Sequence, residues 1–236
     1  MVLLLLALPA RADIIQTQTF GPQVPDYEPV LTFNQYTGNL SDLTGIIVEL
    51  SLTATGGLAQ VDNESSTTAN VDVEFGTSGF LDDYYTTVTL PSELSNYRNP
   101  MTSVNTGSFT LGPDDGDGSG VQSGGDDYDE LVGGTVTDSL SGTVSSSDWG
   151  DYVGTGTFDI TAVIETYLDV TGASGVSQGS TPPTVNGYIT ITYQTAGGGP
   201  GGAAPEPATL LLLSSGLGSL AAWRYRRRRK QSRQSQ

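Results

Sequence analysis

Apolar and polar side chains alternate with a period of two residues in several parts of the chain. Ile46, Val48, Leu50 and Leu52, for example, are interleaved with a mostly polar set. Because successive side chains of a β-strand point to opposite faces, this pattern predicts strands with one buried face. The clearest segments are 46–53, 70–75, 157–164 and 189–193, and weaker ones are 14–20, 29–36, 84–90, 104–111 and 134–144.

Clusters of Gly, Asn, Asp and Pro separate these segments and favour turns. Short strands with one apolar face each need a second sheet to cover that face. The sequence therefore predicts an all-β fold class, an antiparallel β-sandwich or jelly roll over residues 13–196. No helix is predicted in this body, and a short transmembrane helix is predicted near the C-terminus.

Cysteine and histidine are both absent from the 236 residues. Their absence removes thiolate nucleophiles, imidazole bases and the ligands that zinc and copper sites prefer. Only carboxylates remain as strong acid–base or metal-binding groups. We therefore expect a protein that is not an enzyme, with no catalytic, cofactor-binding or metal-ligating residues assigned.

The formal net charge of −17 hides an uneven distribution. All but one of the 26 acidic residues lie between Asp13 and Pro205, whereas Arg98 is the single basic residue there, so this part alone carries about −24. Such a surface repels nucleic acid and attracts divalent cations and basic partners. A nucleic-acid partner is therefore not expected.

The N-terminal residues 1–12 contain a short apolar run, Val2 to Leu8, followed by Ala10, Arg11 and Ala12. Small residues at these spacings are typical of the end of a secretory signal peptide. The basic segment that usually precedes the apolar run is missing, which predicts either an abbreviated signal or a true start upstream of Met1.

The C-terminal part has three successive features. A Gly-rich linker (197–204) precedes Pro205, Glu206 and Pro207, and an apolar stretch (209–223) then leads into a basic tail that ends at about residue 233. The linker would hold the Pro-Glu-Pro segment away from the body, and the prolines keep it out of helix and sheet. The arginines would stay on the cytoplasmic side of a transmembrane helix at 209–223, with the acidic body on the exported side.

Pro205, Glu206 and Pro207, the apolar helix with Gly216 and Gly218, and the terminal arginines together resemble a PEP-CTERM sorting signal. The resemblance covers residues 205–233 and implies processing by an exosortase, a membrane enzyme of Gram-negative bacteria that make exopolysaccharide. It also implies residence in the inner membrane before processing, then at the cell surface or in the extracellular matrix. The alternative is an ordinary C-terminal membrane anchor, which does not require Pro-Glu-Pro.

The body resembles the choice-of-anchor E domain of bacterial surface proteins. Four segments carry the resemblance: residues 33–40, 46–52, 152–156 and 189–193, with Tyr36 where that family has Asp. The resemblance implies a structural or interaction role and no established activity. Exopolysaccharide and other envelope components are the partners expected for such a role.

The densest cluster of charge is the segment 112–130, in which seven carboxylates lie among glycines and serines. Asp115 and Asp117 would supply two oxygen donors on a chain that can bend, as Ca²⁺ loops require, although the spacing is not that of an EF-hand. Two interpretations remain open, a Ca²⁺ site and a solvated, mobile loop, and the second is favoured.

Aromatic residues near predicted turns suggest a glycan-binding surface as a further alternative. Trp149 lies between Asp148 and Asp151, and these residues could line a cleft that binds sugar. A carboxylate-based hydrolase acting on sugar is therefore a further hypothesis, and it is the least favoured one. The alternative to both hypotheses is that these aromatic side chains pack at strand ends and bind no ligand. The aromatic candidates are Tyr84, Tyr85, Tyr128, Trp149 and Tyr152.

Overall fold

The structure is a computed structural model that describes residues 13–196. These residues form eleven β-strands and two short 3₁₀-helices, Leu40–Asp42 and Trp149–Tyr152. All strand pairings are antiparallel, which confirms the prediction of an all-β fold with antiparallel sheets. The strands are β1 (Ile14–Gln23), β2 (Val30–Asn34), β3 (Leu43–Thr55), β4 (Leu58–Asn63), β5 (Ala69–Leu81), β6 (Met101–Leu111), β7 (Tyr128–Val132), β8 (Thr135–Thr143), β9 (Thr157–Thr171), β10 (Val176–Thr181) and β11 (Thr184–Thr195).

Two four-stranded sheets, with strand orders β1-β11-β3-β8 and β2-β9-β5-β6, share one hydrophobic core. This main core is built from the alternating apolar residues of the longest strands, which explains why those strands were evident in the sequence. Burying each such side chain contributes roughly 1.5–3 kcal/mol. Its central members are Phe33, Ile46, Val48, Leu50, Leu52, Phe158, Ile160, Ala162, Ile164, Ile189, Ile191 and Tyr193.

The third sheet, with strand order β10-β4-β7, continues the first one beyond a bend. Three passages of chain bend together, at residues 56–57 (both Gly), 133–134 (both Gly) and 182–183 (both Pro). The flanking residues are in register on both sides, so the two sheets are halves of one bent sheet: Thr55 pairs with Thr135 and Thr184, and Leu58 pairs with Val132 and Thr181.

The three-stranded sheet packs on the first half of β5 and on the last residues of β6 and β9. The apolar side chains between them form a second, smaller core. Phe75 is fully buried there, and half-buried Phe109, Leu131 and Leu168 pack at its edges. The second core therefore fixes the position of β4, whose end is hydrogen-bonded to the acidic segment, and of β7, into which that segment leads. Its buried members are Ala59, Val61, Ala69, Val71, Val73, Phe75 and Leu111.

The bend depends on glycine at one crowded position. Gly57 has φ +83°, and a Cβ there would lie 2.7 Å from the Phe75 ring and 2.8 Å from the Thr181 carbonyl oxygen. Gly56 has φ +72° but open space around it. We expect Gly57→Ala to lower the free energy of unfolding by about 2–4 kcal/mol, because backbone strain adds to overpacking, and Gly56→Ala by about 1–2 kcal/mol from strain alone. Urea unfolding of both variants measures the difference, and equal losses would contradict the crowding argument.

The sequence-based strand assignment needs two corrections. Residues 84–90 are not a strand; they form a turn-rich loop in which Val88 and Leu90 are buried in the main core, so their alternation reflects loop packing. Strands β4, β7 and β10 were not predicted, because each has only five or six residues and little or no apolar alternation.

The predicted signal peptide (1–12), linker (197–204), sorting signal (205–233) and transmembrane helix (209–223) lie outside the described residues. Within residues 13–196, none of the helices has the length and apolar character needed to cross a membrane.

Candidate functional site

The acidic loop, residues 112–127, connects β6 to β7 and is bound to the end of β4. The Asn63 backbone N–H donates a hydrogen bond of 3.0 Å to the Asp127 carbonyl oxygen, and the Asp114 N–H donates one of 2.8 Å to the Ser65 carbonyl oxygen. The Asn63 side-chain Nδ2 donates to the carbonyl oxygens of Gly112 and Thr67. Both ends of the acidic loop are therefore held by the last residue of β4 and by the segment that follows it.

Two carboxylates from the β4 end hold the middle of the acidic loop. Asp62 Oδ2 accepts a hydrogen bond of 2.7 Å from the Gln122 N–H, and Glu64 Oε1 accepts one of 2.7 Å from the Gly120 N–H. Glu64 Oε1 also accepts a hydrogen bond of 2.9 Å from the Ser177 hydroxyl of β10. Hydrogen bonds from amides to ionised carboxylates are stronger than neutral ones, so the loop has a defined position.

Four aspartates of the acidic loop converge on one place and form what we call the carboxylate cluster: Asp114, Asp115, Asp117 and Asp127. One oxygen from each lies within 4.8 Å of those from the other three. The first three are exposed, and the Gly116 and Asp117 N–H groups donate to Asp114 Oδ1 and Asp115 Oδ1 at 2.8 and 3.1 Å. The turn that these bonds form directs the carboxylates to the same side.

Asp127 differs from the other three because it is 1% exposed. Its Oδ2 accepts a hydrogen bond of 2.8 Å from the Asp115 N–H, whereas its Oδ1 is buried and has no hydrogen-bond partner among the described residues. A Cβ built on Gly125 would lie 2.5 Å from both Asp127 Oδ1 and Asp115 Oδ2. These two oxygens therefore border the same small space, which glycine leaves open.

The pKa values of two neighbouring carboxyl groups are raised by this environment. Desolvation raises the pKa of Asp62, and the negative charges of Asp127, Glu64 and Asp115 raise it further against the lowering effect of the Gln122 N–H. Desolvation and then the charges of Asp115, Asp62 and Asp127 raise the pKa of Asp117. In both groups desolvation is the larger cause, and the neighbouring carboxylates add to it.

The structure brings together Asp115 and Asp117, the two residues that the sequence suggested, and adds Asp114 and Asp127 to them. The sequence around Asp126 and Asp127 does not indicate which of the two side chains is buried. Asp127 is buried where its backbone carbonyl pairs with the Asn63 N–H, a contact between residues distant in sequence. The solvated-loop interpretation of 112–130 is wrong at its end, since Asp127 is buried and residues 128–130 belong to β7.

The aromatic residues proposed for glycan binding do not form one exposed surface. Tyr152 is fully buried and donates a hydrogen bond to the Thr89 carbonyl oxygen, and the Trp149 indole N–H donates to the Val144 carbonyl oxygen. Asp151 Oδ2 accepts a hydrogen bond of 3.2 Å from the Thr89 hydroxyl. Trp149 and Tyr152 therefore have a packing role, which was the alternative to glycan binding.

Tyr84 and Tyr85 differ from these packed aromatics, since both are exposed and their rings meet edge to face at 4.9 Å. Tyr128 is half-buried, and its hydroxyl is bonded to both Gln60 and Glu130. The glycan-binding hypothesis therefore narrows to the pair Tyr84 and Tyr85.

Comparison with known proteins gives one family match. Residues 203–229 match the model of the PEP-CTERM protein-sorting motif, a range that includes Pro205, Glu206 and Pro207 and lies outside the described part of the structure. No curated protein matches the chain.

Among solved structures, a chain titled Desmodium yellow mottle tymovirus is similar over 83% of this chain and 94% of that chain. The identity is 8% and the TM-score is 0.17, and at that TM-score the similarity carries no argument.

The sorting motif and the acidic body have separate implications. The body offers a carboxylate cluster and an exposed tyrosine pair, and neither by itself says where the protein is located. The motif does, because it implies export and membrane-anchored sorting in a Gram-negative bacterium. This chain carries a PEP-CTERM protein-sorting motif at residues 203–229, and the motif implies export and processing by an exosortase.

Proposed function

We propose that this protein is a structural or interaction protein of the cell surface or extracellular matrix, delivered there after exosortase processing of its C-terminal signal. The observation that carries the proposal is the sorting motif at residues 203–229. The proposed role is non-catalytic and needs no cofactor for chemistry, in keeping with a sequence that has neither Cys nor His. Exopolysaccharide and other envelope components are the proposed partners.

We interpret the body as a β-sandwich because its two four-stranded sheets share the main core. We further propose that it is related to the choice-of-anchor E domain. In support, the segments that carry this resemblance are neighbours in space. The Tyr36 ring stacks on Tyr193 at 5.5 Å, and Gln35 bonds to the main chain of Asp151 and Gly156.

The high negative charge of the body supports an extracellular interaction role. With Arg98 as its single basic residue, the body repels anionic surfaces and other copies of itself, which favours a dispersed, hydrated state in a polymer matrix. A body of this charge would be retained in such a matrix through cations or basic groups rather than through anionic polysaccharide directly.

The proposal is tested by intact mass in the native host, with cell and medium fractions kept separate. We expect the parent protein to lack its apolar and basic tail and Glu206→Ala to retain it, because Glu206 is the charged residue of the Pro-Glu-Pro motif. Glu28→Ala is the matched control, since Glu28 is exposed and lies in the body; it should be processed like the parent.

Two results would overturn this proposal. Retention of the full tail in the parent as well as in Glu206→Ala would leave an ordinary membrane-anchored protein. Loss of the tail in all three proteins would show proteolysis that does not read the Pro-Glu-Pro motif.

A further inference from the structure

The buried, unpartnered oxygen of Asp127 points to a ligand that the protein itself does not supply. An ionised carboxylate that is removed from water must be paired with a positive charge or fully hydrogen-bonded, because its desolvation costs several kcal/mol. Asp127 Oδ2 has the Asp115 N–H as its donor, but Oδ1 has none among the described residues and faces Asp115 Oδ2, which carries negative charge.

No side chain of the body is in a position to balance this charge. Arg98 is the single basic residue between Asp13 and Pro205, and its guanidinium lies 5.5 Å from the centre of the Tyr97 ring. The groups that face the carboxylate cluster from the β4 end are Asp62 and Glu64, which add negative charge. A cation from solution is therefore the partner that fits.

The donor set selects a hard, oxygen-seeking cation. The side-chain ligands are all carboxylate oxygens, and backbone carbonyls and water would complete the coordination shell. Such a set of oxygen ligands suits Ca²⁺, whereas zinc and copper prefer nitrogen and sulfur ligands. Two oxygens on opposite sides of one Ca²⁺ lie about 4.8 Å apart, given Ca–O distances of about 2.4 Å, and the four cluster oxygens lie within 4.8 Å of one another.

The glycines of the acidic loop permit the required turns. Gly116, Gly118 and Gly125 have φ values of +81°, +131° and +78°, a region that glycine enters without strain. A side chain at Gly125 would fill the space between Asp115 and Asp127. Mg²⁺ is disfavoured at such an irregular site, because it demands nearly octahedral geometry and gives up its water reluctantly.

We propose that Asp114, Asp115, Asp117 and Asp127 bind one Ca²⁺ ion and that this ion fastens the turn at residues 114–117 to the start of β7. The ion pairs the buried Asp127 Oδ1 with the exposed carboxylates of the turn. It thereby joins the two ends of the loop, which are 10 to 13 residues apart in sequence. Calcium sites of extracellular modules have Kd values of about 10⁻⁴–10⁻³ M, and a site on three exposed ligands and one buried ligand should fall in that range.

The test is calcium titration of the full chain in detergent at constant ionic strength, followed by calorimetry and thermal unfolding. We expect one saturable site in the parent and a rise in Tm of about 5–10 °C at a calcium concentration one hundred times Kd. Asp127→Asn and Asp117→Asn should each bind at least about tenfold more weakly. Asp138→Asn is the matched control, because it removes the same charge from an exposed position on β8.

Asp117→Asn keeps the test decisive even if Asp127→Asn does not fold, because Asp117 is exposed and its side chain accepts none of the hydrogen bonds that hold the loop. Absence of saturable binding in the parent would overturn the proposal, as would equal affinity in Asp117→Asn and Asp138→Asn. An equal rise in Tm with Mg²⁺ would overturn the assignment to Ca²⁺. The outcome does not depend on whether Glu206 directs processing.

Discussion

Replacing Phe75 with alanine is expected to lower the free energy of unfolding by about 3–5 kcal/mol, because it removes the largest fully buried side chain of the second core and leaves a cavity. The surroundings have little freedom to collapse, since Gly57 packs against the ring from the bent sheet. Chemical denaturation measures the loss. Phe109→Ala is the matched control: Phe109 lies in the same core but is half-buried, and its loss should cost no more than about 2 kcal/mol.

The location of the effect is as informative as its size. The second core is separate from the main core, so Phe75→Ala should release the sheet β10-β4-β7 before the rest of the body. Hydrogen exchange should therefore accelerate at the amides of β4 far more than at those of β11. Equal acceleration in β4 and β11 would contradict two separable cores and show one cooperative unit.

The strands of the main core could be predicted from the sequence because each is half-buried along most of its length. In β3 and β11, alternate residues such as Leu50 and Ile189 have no exposed surface, and the register places these two opposite each other. That alternation is a property of a single strand, so a single segment reveals it. The sorting motif is likewise readable because an exosortase recognises a linear segment.

The three-stranded sheet could not be predicted for a physical reason. β10 has the sequence VSQGST, with Val176 as its one apolar residue, and it is a strand because it pairs with β4. Its stability comes from neighbours that are distant in sequence, and a local pattern does not record them. The bend was not predicted either, since each Gly or Pro pair reads alone as an ordinary turn.

The carboxylate cluster could be predicted from the sequence only in part. The crowding of acidic residues in 112–130 is plain in the sequence, and it correctly draws attention to Asp115 and Asp117. The burial of Asp127 distinguishes this cluster from a fully solvated run of acidic residues. That burial follows from the hydrogen bond that the Asn63 N–H donates to the Asp127 carbonyl oxygen. Long-range pairing decides that burial, and composition does not.

Alkaline pH is expected to unfold the body steeply, because two tyrosines of the main core cannot ionise in place. Tyr152 and Tyr193 are fully buried and donate hydrogen bonds to the carbonyl oxygens of Thr89 and Asn34. Burial raises the pKa of both hydroxyls well above the ordinary value of 10.0. Above pH 10 the unfolded chain loses these protons while the folded chain keeps them, so stability is unaffected below pH 10 and falls as pH rises beyond it.

Each of these two hydroxyls is expected to contribute about 1.4 kcal/mol per pH unit to the slope of stability against pH once the pH is well above 10, measured by urea unfolding between pH 10 and 11.5. Tyr193→Phe should reduce the slope by about 1.4 kcal/mol per pH unit. It should cost only about 0.5–1.5 kcal/mol at neutral pH, because Gln16 Nε2 still donates a hydrogen bond of 2.8 Å to the Asn34 carbonyl oxygen. Tyr84→Phe, which removes an exposed hydroxyl outside the main core, is the matched control. An unchanged slope in Tyr193→Phe would mean that this hydroxyl ionises within the fold, and the buried bond to Asn34 would then not hold its proton.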